Sequence, residues 1–326
     1  MPSLSLQKTE VVGANAFILE NELVRSVLVP GFGARVLSLI YKPTETEFAW
    51  HSPNVSAEPS GELENVSGFF DCIPTCDPCT LNGKSLPGFG EVSSKPWKVS
   101  KAERTPGTVK VSMEARCKIY PLLVRKEISL TKNRPVLVIR YEVHNMSDES
   151  LAYHYSGHNT LQVSPHHRIV LPREVTKLKL GYTGRLGRMG DHVTWPIAAD
   201  EKGNQLDISR IGGPCDGTME NLYTPRLNQR WGAVVNEARM EAIGFAWEGD
   251  ALRYVNVCTN NGGWKDYYFA ALEPVTGRPD NLEVAVNQWK DYAVLKPDER
   301  TTWTQRIILA HNIRRVERIE NDEFVQ

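Results

Sequence analysis

The chain has 326 residues, with 38 Lys plus Arg against 39 Asp plus Glu and a formal net charge of −1. That balance leaves no basic surplus for a nucleic-acid backbone or an anionic membrane surface. At 41% hydrophobic and 24% charged residues, the composition is that of a globular protein and excludes disordered and fibrous classes.

No run of about 18 apolar residues occurs, so no spanning helix is expected. The opening Met1-Pro2-Ser3-Leu4-Ser5-Leu6-Gln7-Lys8 lacks a basic stretch followed by an apolar one and does not read as a secretory signal. Six cysteines are too few for a disulfide scaffold, so the expectation is a cytoplasmic protein with reduced thiols. The glycosylation-like triplets beginning at Asn54, Asn65 and Asn145 then count as chance matches. The length would fit two domains, but all-β chains can stay undivided well beyond 200 residues. No break in composition divides this one, and a single domain over 1–326 is expected.

In chain order, residues 23–29 and 34–41 read as strands around the turn Pro30-Gly31-Phe32-Gly33. Segments 109–115, 122–130 and 136–143 are rich in Val, Ile and Tyr with turn-length gaps, which is the pattern of an antiparallel meander. Further strands are expected at 151–157, 159–163, 168–171, 242–247, 252–257, 267–272 and 302–310. One helix is expected at 281–293, where Leu282, Ala285, Val286 and Trp289 recur at helical spacing. The stretches 43–68 and 181–230 read as irregular and exceed ordinary connections. These elements imply an all-β fold, a large Greek-key-like β-sandwich with few short helices. Long loops at one end of such a sandwich commonly wall a binding site.

Several clusters can carry chemistry. Cys72-Ile73-Pro74-Thr75-Cys76-Asp77-Pro78-Cys79 spells C-x3-C-x2-C, which resembles the cluster motif of radical S-adenosylmethionine enzymes. Those enzymes carry it in a βα-barrel, so in all-β surroundings three unrelated thiols and no bound metal are expected at Cys72, Cys76 and Cys79. His154 and His158 lie four apart, on one face if the segment is a strand, as an acid plus a binding group, as two metal ligands, or as one functional histidine beside a structural one. His166 and His167 read as surface residues in a turn. Glu273 ends an aromatic strand and precedes a proline, so it is a candidate buried base. Trp50, Trp195, Trp231 and Trp264 lie near polar loop residues, where flat rings can face the C–H side of a sugar. Trp97 and Trp247 read as core.

Four stretches in order resemble the aldose 1-epimerase (galactose mutarotase-like) superfamily. They are 28–39 with its Pro30-Gly31-Phe32-Gly33-Ala34-Arg35 turn; Leu86-Pro87-Gly88-Phe89-Gly90-Glu91 with Pro96-Trp97; Tyr155-Ser156-Gly157-His158-Asn159 through Pro172; and Leu272-Glu273-Pro274 followed by Leu295-Lys296-Pro297-Asp298-Glu299. The likeness spans about residues 10–311. It implies a β-supersandwich with a sugar cleft, a monosaccharide or sugar-derivative substrate and no cofactor. It also implies anomer interconversion by pyranose ring opening, with Glu273 as base and His158 as acid. The family's first histidine falls at Phe89 and its aspartate at Gly88, and its early Asn-Arg pair is not recognisable. The sugar grip must therefore differ, with His51, His154 or Arg35 as substitutes, and His154, Phe89, Arg35 and Trp264 are the expected substrate contacts. The missing histidine keeps two rivals open: a non-catalytic carbohydrate-binding protein, and a lyase or an epimerase at another carbon using Tyr153, Tyr155 and Arg35. The sequence does not set the oligomeric state.

Overall fold

A computed structural model describes residues 4–53 and 66–326. Asn54, Asn65 and the middle of the loop at 43–68, residues 54–65, lie outside the described residues. Nearly every element is a strand, and the paired strands run antiparallel in two large sheets. The twelve-stranded sheet takes, in spatial order, Ser5–Val11, Ala14–Glu20, Val24–Val29, Arg35–Tyr41, Phe69–Cys72, Ser156–Leu161, Tyr268–Val275, Tyr254–Asn261, Thr218–Tyr223, Lys177–Thr183 and His192–Thr194, with Thr46–Glu47 paired beside Arg35–Tyr41. The eight-stranded sheet takes His167–Val170, Trp231–Asn236, Glu241–Glu248, Arg300–His311, Val136–Asn145, Leu122–Thr131, Thr108–Arg116 and Lys98–Arg104. The chain leaves the large sheet after Phe69–Cys72, builds the meander, and returns at Ser156–Leu161. The expected all-β architecture of two large sheets with little helix is thus observed.

The inner faces of both sheets meet in one apolar core that includes Leu28, Val36, Val111, Leu122, Ile139, Leu178, Leu222, Leu272 and Ile307. In Thr108–Arg116, Val109, Val111, Met113 and Ala115 are buried while the residues between them are not, the alternation of a strand with one wet face. Ser156–Leu161 and Tyr254–Asn261 differ, being buried along their whole length. Their outward positions carry Ser156, His158, Asn256 and Asn260, so the second face of the large sheet is covered and polar there. That covered face positions the site.

Three expectations are corrected. The helix expected at 281–293 is one α-helical turn at Leu282–Val284 followed by a wider π turn at Ala285–Trp289, and Lys290 then turns left-handed. The Asn281 side chain caps the start by accepting from the Val284 amide at 3.1 Å. The stretch 181–230 holds the end of Lys177–Thr183 and the strands His192–Thr194, Ile197–Ala199, Gln205–Asp207 and Thr218–Tyr223. The expected strand at 151–157 breaks at His154 and Tyr155, whose amides bond outside the ladder to the Pro74 carbonyl at 2.8 Å and Thr276 Oγ1 at 2.8 Å. His154 and His158 therefore do not share a continuous strand.

Candidate active site on the covered face of the large sheet

His158 and Glu273 are 115 positions apart in sequence but are cross-strand neighbours. Ser156 pairs with Val275 and Thr160 with Ala271, and the same register sets His158 opposite Glu273. The row continues in both directions. Phe70 is the partner of His158 on one side. On the other side Glu273 pairs with Asn256, Asn256 with Tyr223, Tyr223 with Lys179, and Lys179 with His192. Directly opposed side chains on one face of an antiparallel pair start about 5 Å apart, so the register alone brings the imidazole to the carboxylate. His158 Nε2 lies 3.6 Å from Glu273 Oε1, and both side chains are under one-tenth exposed.

Glu273 is held by its neighbours. Its Oε2 accepts from Ser156 Oγ at 2.6 Å and from Asn256 Nδ2 at 3.4 Å. The Asn256 amide also donates to Asp280 Oδ2 at 3.2 Å, so one side chain bridges two carboxylates. Asp280 further accepts from Asn221 Nδ2 at 3.0 Å, and its amide donates to the Tyr223 hydroxyl at 3.0 Å. His154, fully buried, brings Nε2 to 3.4 Å from Asp280 Oδ1. Sequence reasoning missed Ser156, Asn221, Asn256 and Asp280. Strand register, which the sequence does not print, brings Ser156, Asn221 and Asn256 together, and the loop after Tyr268–Val275 carries Asp280 to them.

Burial sets the protonation of this group. It pushes the Glu273 carboxyl well above the ordinary carboxylate range, and the nearby Asp280 charge raises it further. Asp280 stays below its ordinary value although it is buried, because His154, Asn221 and Tyr223 stabilise its charge. Burial also lowers His158 to about 4, with Asp280 opposing and Arg35 assisting that shift. Both shifts favour the neutral forms, a protonated Glu273 carboxyl beside an uncharged His158 imidazole, over the ion pair.

Aromatic rings wall the imidazole. Phe70 stacks on His158 at 4.5 Å, and Phe89 meets both rings edge-on at 5.4 Å. Phe89 occupies a left-handed backbone position, φ 56°, which is uncommon for a bulky residue. Arg35 is 2% exposed. Its guanidinium lies 4.2 Å from the Phe32 ring and 4.0 Å from the Phe70 ring, with Nη1 donating to the Ser67 carbonyl. It therefore stands behind Phe70 as seen from His158. Trp264 packs on the apolar cluster of Trp50, Phe70, Cys72, Cys76, Cys258 and Phe269 that borders the pair. His51 turns away, with Nε2 2.7 Å from the Leu37 carbonyl.

Other candidates fall elsewhere. Trp231 is buried in a separate cluster on the eight-stranded sheet, and Trp195 packs against the main core, so neither offers a sugar platform. Trp97 and Trp247 are core residues. His166 is exposed, but His167 is half-buried and its Nδ1 accepts from the Ser164 amide at 2.9 Å. Tyr155 faces the inter-sheet core, where its hydroxyl donates to Asp71 at 2.9 Å, and burial raises both Tyr153 and Tyr155. That removes the tyrosines of the lyase reading. Cys72 and Cys76 are buried, with Cys72 pushed up to about 11 by burial, while Cys79 packs on the main core instead. The segment around them anchors the site: the amides of Cys76 and Asp77 donate to the Asp280 carbonyl at 3.0 and 3.2 Å. Among the described residues, no three His, Cys, Asp or Glu side chains are grouped to hold a metal ion, and no helix is long and apolar enough to cross a membrane.

No protein-family model and no curated protein matches the chain. Solved structures do. The Slr1438 protein from Synechocystis sp. PCC 6803 is 15% identical, over 96% of this chain and 100% of that one, with a TM-score of 0.70. A galactose mutarotase-like protein from Clostridium acetobutylicum is 12% identical over 95% and 99% of the two chains, TM-score 0.68. A galactose mutarotase related enzyme from Lactobacillus acidophilus is 16% identical over 91% and 98%, TM-score 0.61. At 12–16% identity these likenesses concern the backbone over nearly the whole length, and by them the chain has the galactose mutarotase-like fold.

Proposed function

We propose that the protein is an aldose 1-epimerase-like isomerase that interconverts the anomers of a pyranose sugar or sugar derivative. The observation that carries this reading is the His158–Glu273 pair, 3.6 Å apart and buried beside aromatic rings. Ring opening needs one group to take the proton of the anomeric hydroxyl and another to give one to the ring oxygen. Those two oxygens sit on the same carbon, so acid and base must stand side by side, as these two groups do.

Glu273 accepts the hydroxyl proton, the bond between the anomeric carbon and the ring oxygen breaks, and the ring oxygen takes the proton of His158. Rotation about the next carbon–carbon bond and reversal of the same transfers give the other anomer and restore the pair. Burial favours the proton on Glu273 before a sugar binds. Sugar hydroxyls donating to that carboxylate favour its ionised form, which moves the proton to His158 and readies the pair. Ser156 and Asn256 hold the carboxylate in place. Asp280 remains the charged partner, and Phe70 fixes the imidazole plane.

Phe89 against His158 favours a second reading, a carbohydrate-binding protein in which an apolar wall has replaced a polar grip. All six cysteines are free, in keeping with action in the reducing cytoplasm.

NMR saturation transfer between α and β signals, run over neutral, acidic and phosphorylated sugars, tests both readings. Exchange on one sugar is expected, with Glu273→Gln slowing it on the order of 10²–10⁴-fold while binding persists. Binding without exchange in the native protein would establish the second reading, and full activity of the variant would overturn the first.

A further inference from the structure

We propose that Lys177, Lys179, His192, Arg226 and Arg278 form an anion site, separate from the His158–Glu273 pair, that takes a phosphate-like tetrahedral oxyanion. These residues, with Pro225 and Tyr254, line a pocket of about 180 Å³ on the same sheet face as the pair. No acidic residue lines it. Among the described residues only Arg278 has an ion-pair partner: its Nε meets Asp291 at 2.6 Å, and its Nη1 donates to the Thr224 carbonyl at 2.9 Å. Lys177, Lys179 and Arg226 have none.

Four permanent cations converging on one hollow repel each other, and the structure makes that field visible. Lys179 is lowered by burial and by Arg278, with Asp291 opposing. Its ammonium rests 3.5 Å from the Trp289 ring, not on a carboxylate. Such a hollow is relieved by a bound anion, and several charged donors around one point suit an oxyanion with three or more acceptor oxygens.

Size and position set the ligand class. Sites for whole small molecules run to roughly 300–1,000 Å³, so this pocket accommodates a charged group and its water, not a sugar ring. Along the register row, Lys179 stands three strands from Glu273, about 14 Å at ordinary strand spacing. Trp289 stands over Tyr223 between them, edge-on at 6.0 Å. The proposal does not depend on the proton roles of His158 and Glu273.

Inorganic phosphate titrated into the native chain by isothermal calorimetry, at neutral pH and low salt, should give saturable binding that weakens as sodium chloride is added. Lys179→Gln and Arg226→Gln break no ion pair among the described residues, and each should weaken phosphate about tenfold or more. Glu273→Gln should bind phosphate as the native protein does. A hexose phosphate should compete with phosphate, and the unphosphorylated hexose should not. No saturable binding at millimolar phosphate, or affinities unchanged in the folded Lys179 and Arg226 variants, would overturn the site. Displacement by the neutral hexose, or loss of phosphate binding in Glu273→Gln, would overturn its separateness.

Discussion

His158→Gln should make the protein relatively more stable in acid than the native chain, although it removes a group proposed to act in catalysis. Burial lowers the folded-state value of this histidine from 6.5 to about 4. An unfolded chain binds a proton at this position below 6.5, and the folded chain does so only below about 4. Between those values falling pH draws the native protein towards the unfolded state, and the penalty is complete once both forms are protonated. At about pH 5, one and a half units below the free value, the shift amounts to about 2 kcal/mol, and it nears about 3 kcal/mol at the folded value. Glutamine does not titrate. It also forfeits the stacking on Phe70, worth about 1 kcal/mol, but equally at every pH. Glu273 has its own pH dependence, raised chiefly by burial and by Asp280, and making the same comparison in a Glu273→Gln background removes it from the difference. Urea unfolding of both proteins at about pH 7.5 and pH 5 should therefore show their stability difference moving by about 2 kcal/mol in favour of the variant. If the two lose or gain stability in parallel within about 0.5 kcal/mol, His158 is not held neutral by burial and the electrostatic reading of the site fails.

Once a substrate is found, anomer exchange should lose its rate in acid as His158 takes up a second proton near pH 4, because a pair holding two protons has no base; a rate already falling at pH 6 would contradict this. Lys126→Met should cost roughly 3–5 kcal/mol in chemical unfolding, since Lys126 Nζ meets Asp71 at 2.8 Å with both side chains at most 2% exposed. Adding Asp71→Asn to that variant should recover much of the loss, and simple additivity of the two costs would refute the pairing. Gly90→Ala should destabilise by at least about 2 kcal/mol, because Gly90 sits at φ 69° and an added Cβ would lie 2.2 Å from the Ile73 carbonyl oxygen; an unchanged midpoint would show that this turn yields.

The meander was legible in the sequence because one face of each strand is wet. Val109, Val111, Met113 and Ala115 alternate with polar residues, and that period is specific to a half-buried strand. Edge strands carry no such signal. Lys98–Arg104 is half-buried at Val99 and Glu103 and otherwise exposed, so its composition matches that of a loop, and only pairing with Thr108–Arg116 makes it a strand. The break at His154 and Tyr155 was invisible for the opposite reason. The local residues favour a strand, and contacts from Pro74 and Thr276, far along the chain, override them.

The site divides along the same line. His158 and Glu273 could be named because their neighbours form motifs. Asn256, Asn221 and Asp280 have no motif, since asparagine and aspartate in a sequence read first as turn residues. The role of the two asparagines comes from a register that spans six strands of the large sheet, from Phe70 through His158, Glu273, Asn256 and Tyr223 to Lys179, and Asp280 reaches them from the loop after Tyr268–Val275. A one-residue slip in any of these pairings would turn a polar side chain into the apolar core. The buried hydrogen bonds from Ser156 and Asn256 to Glu273, and from Asn221 and Asn256 to Asp280, therefore fix the alignment of the strands as well as the carboxylates. That double duty accounts for Asn256 standing fully buried in the middle of a sheet, where a β-branched residue would pack better.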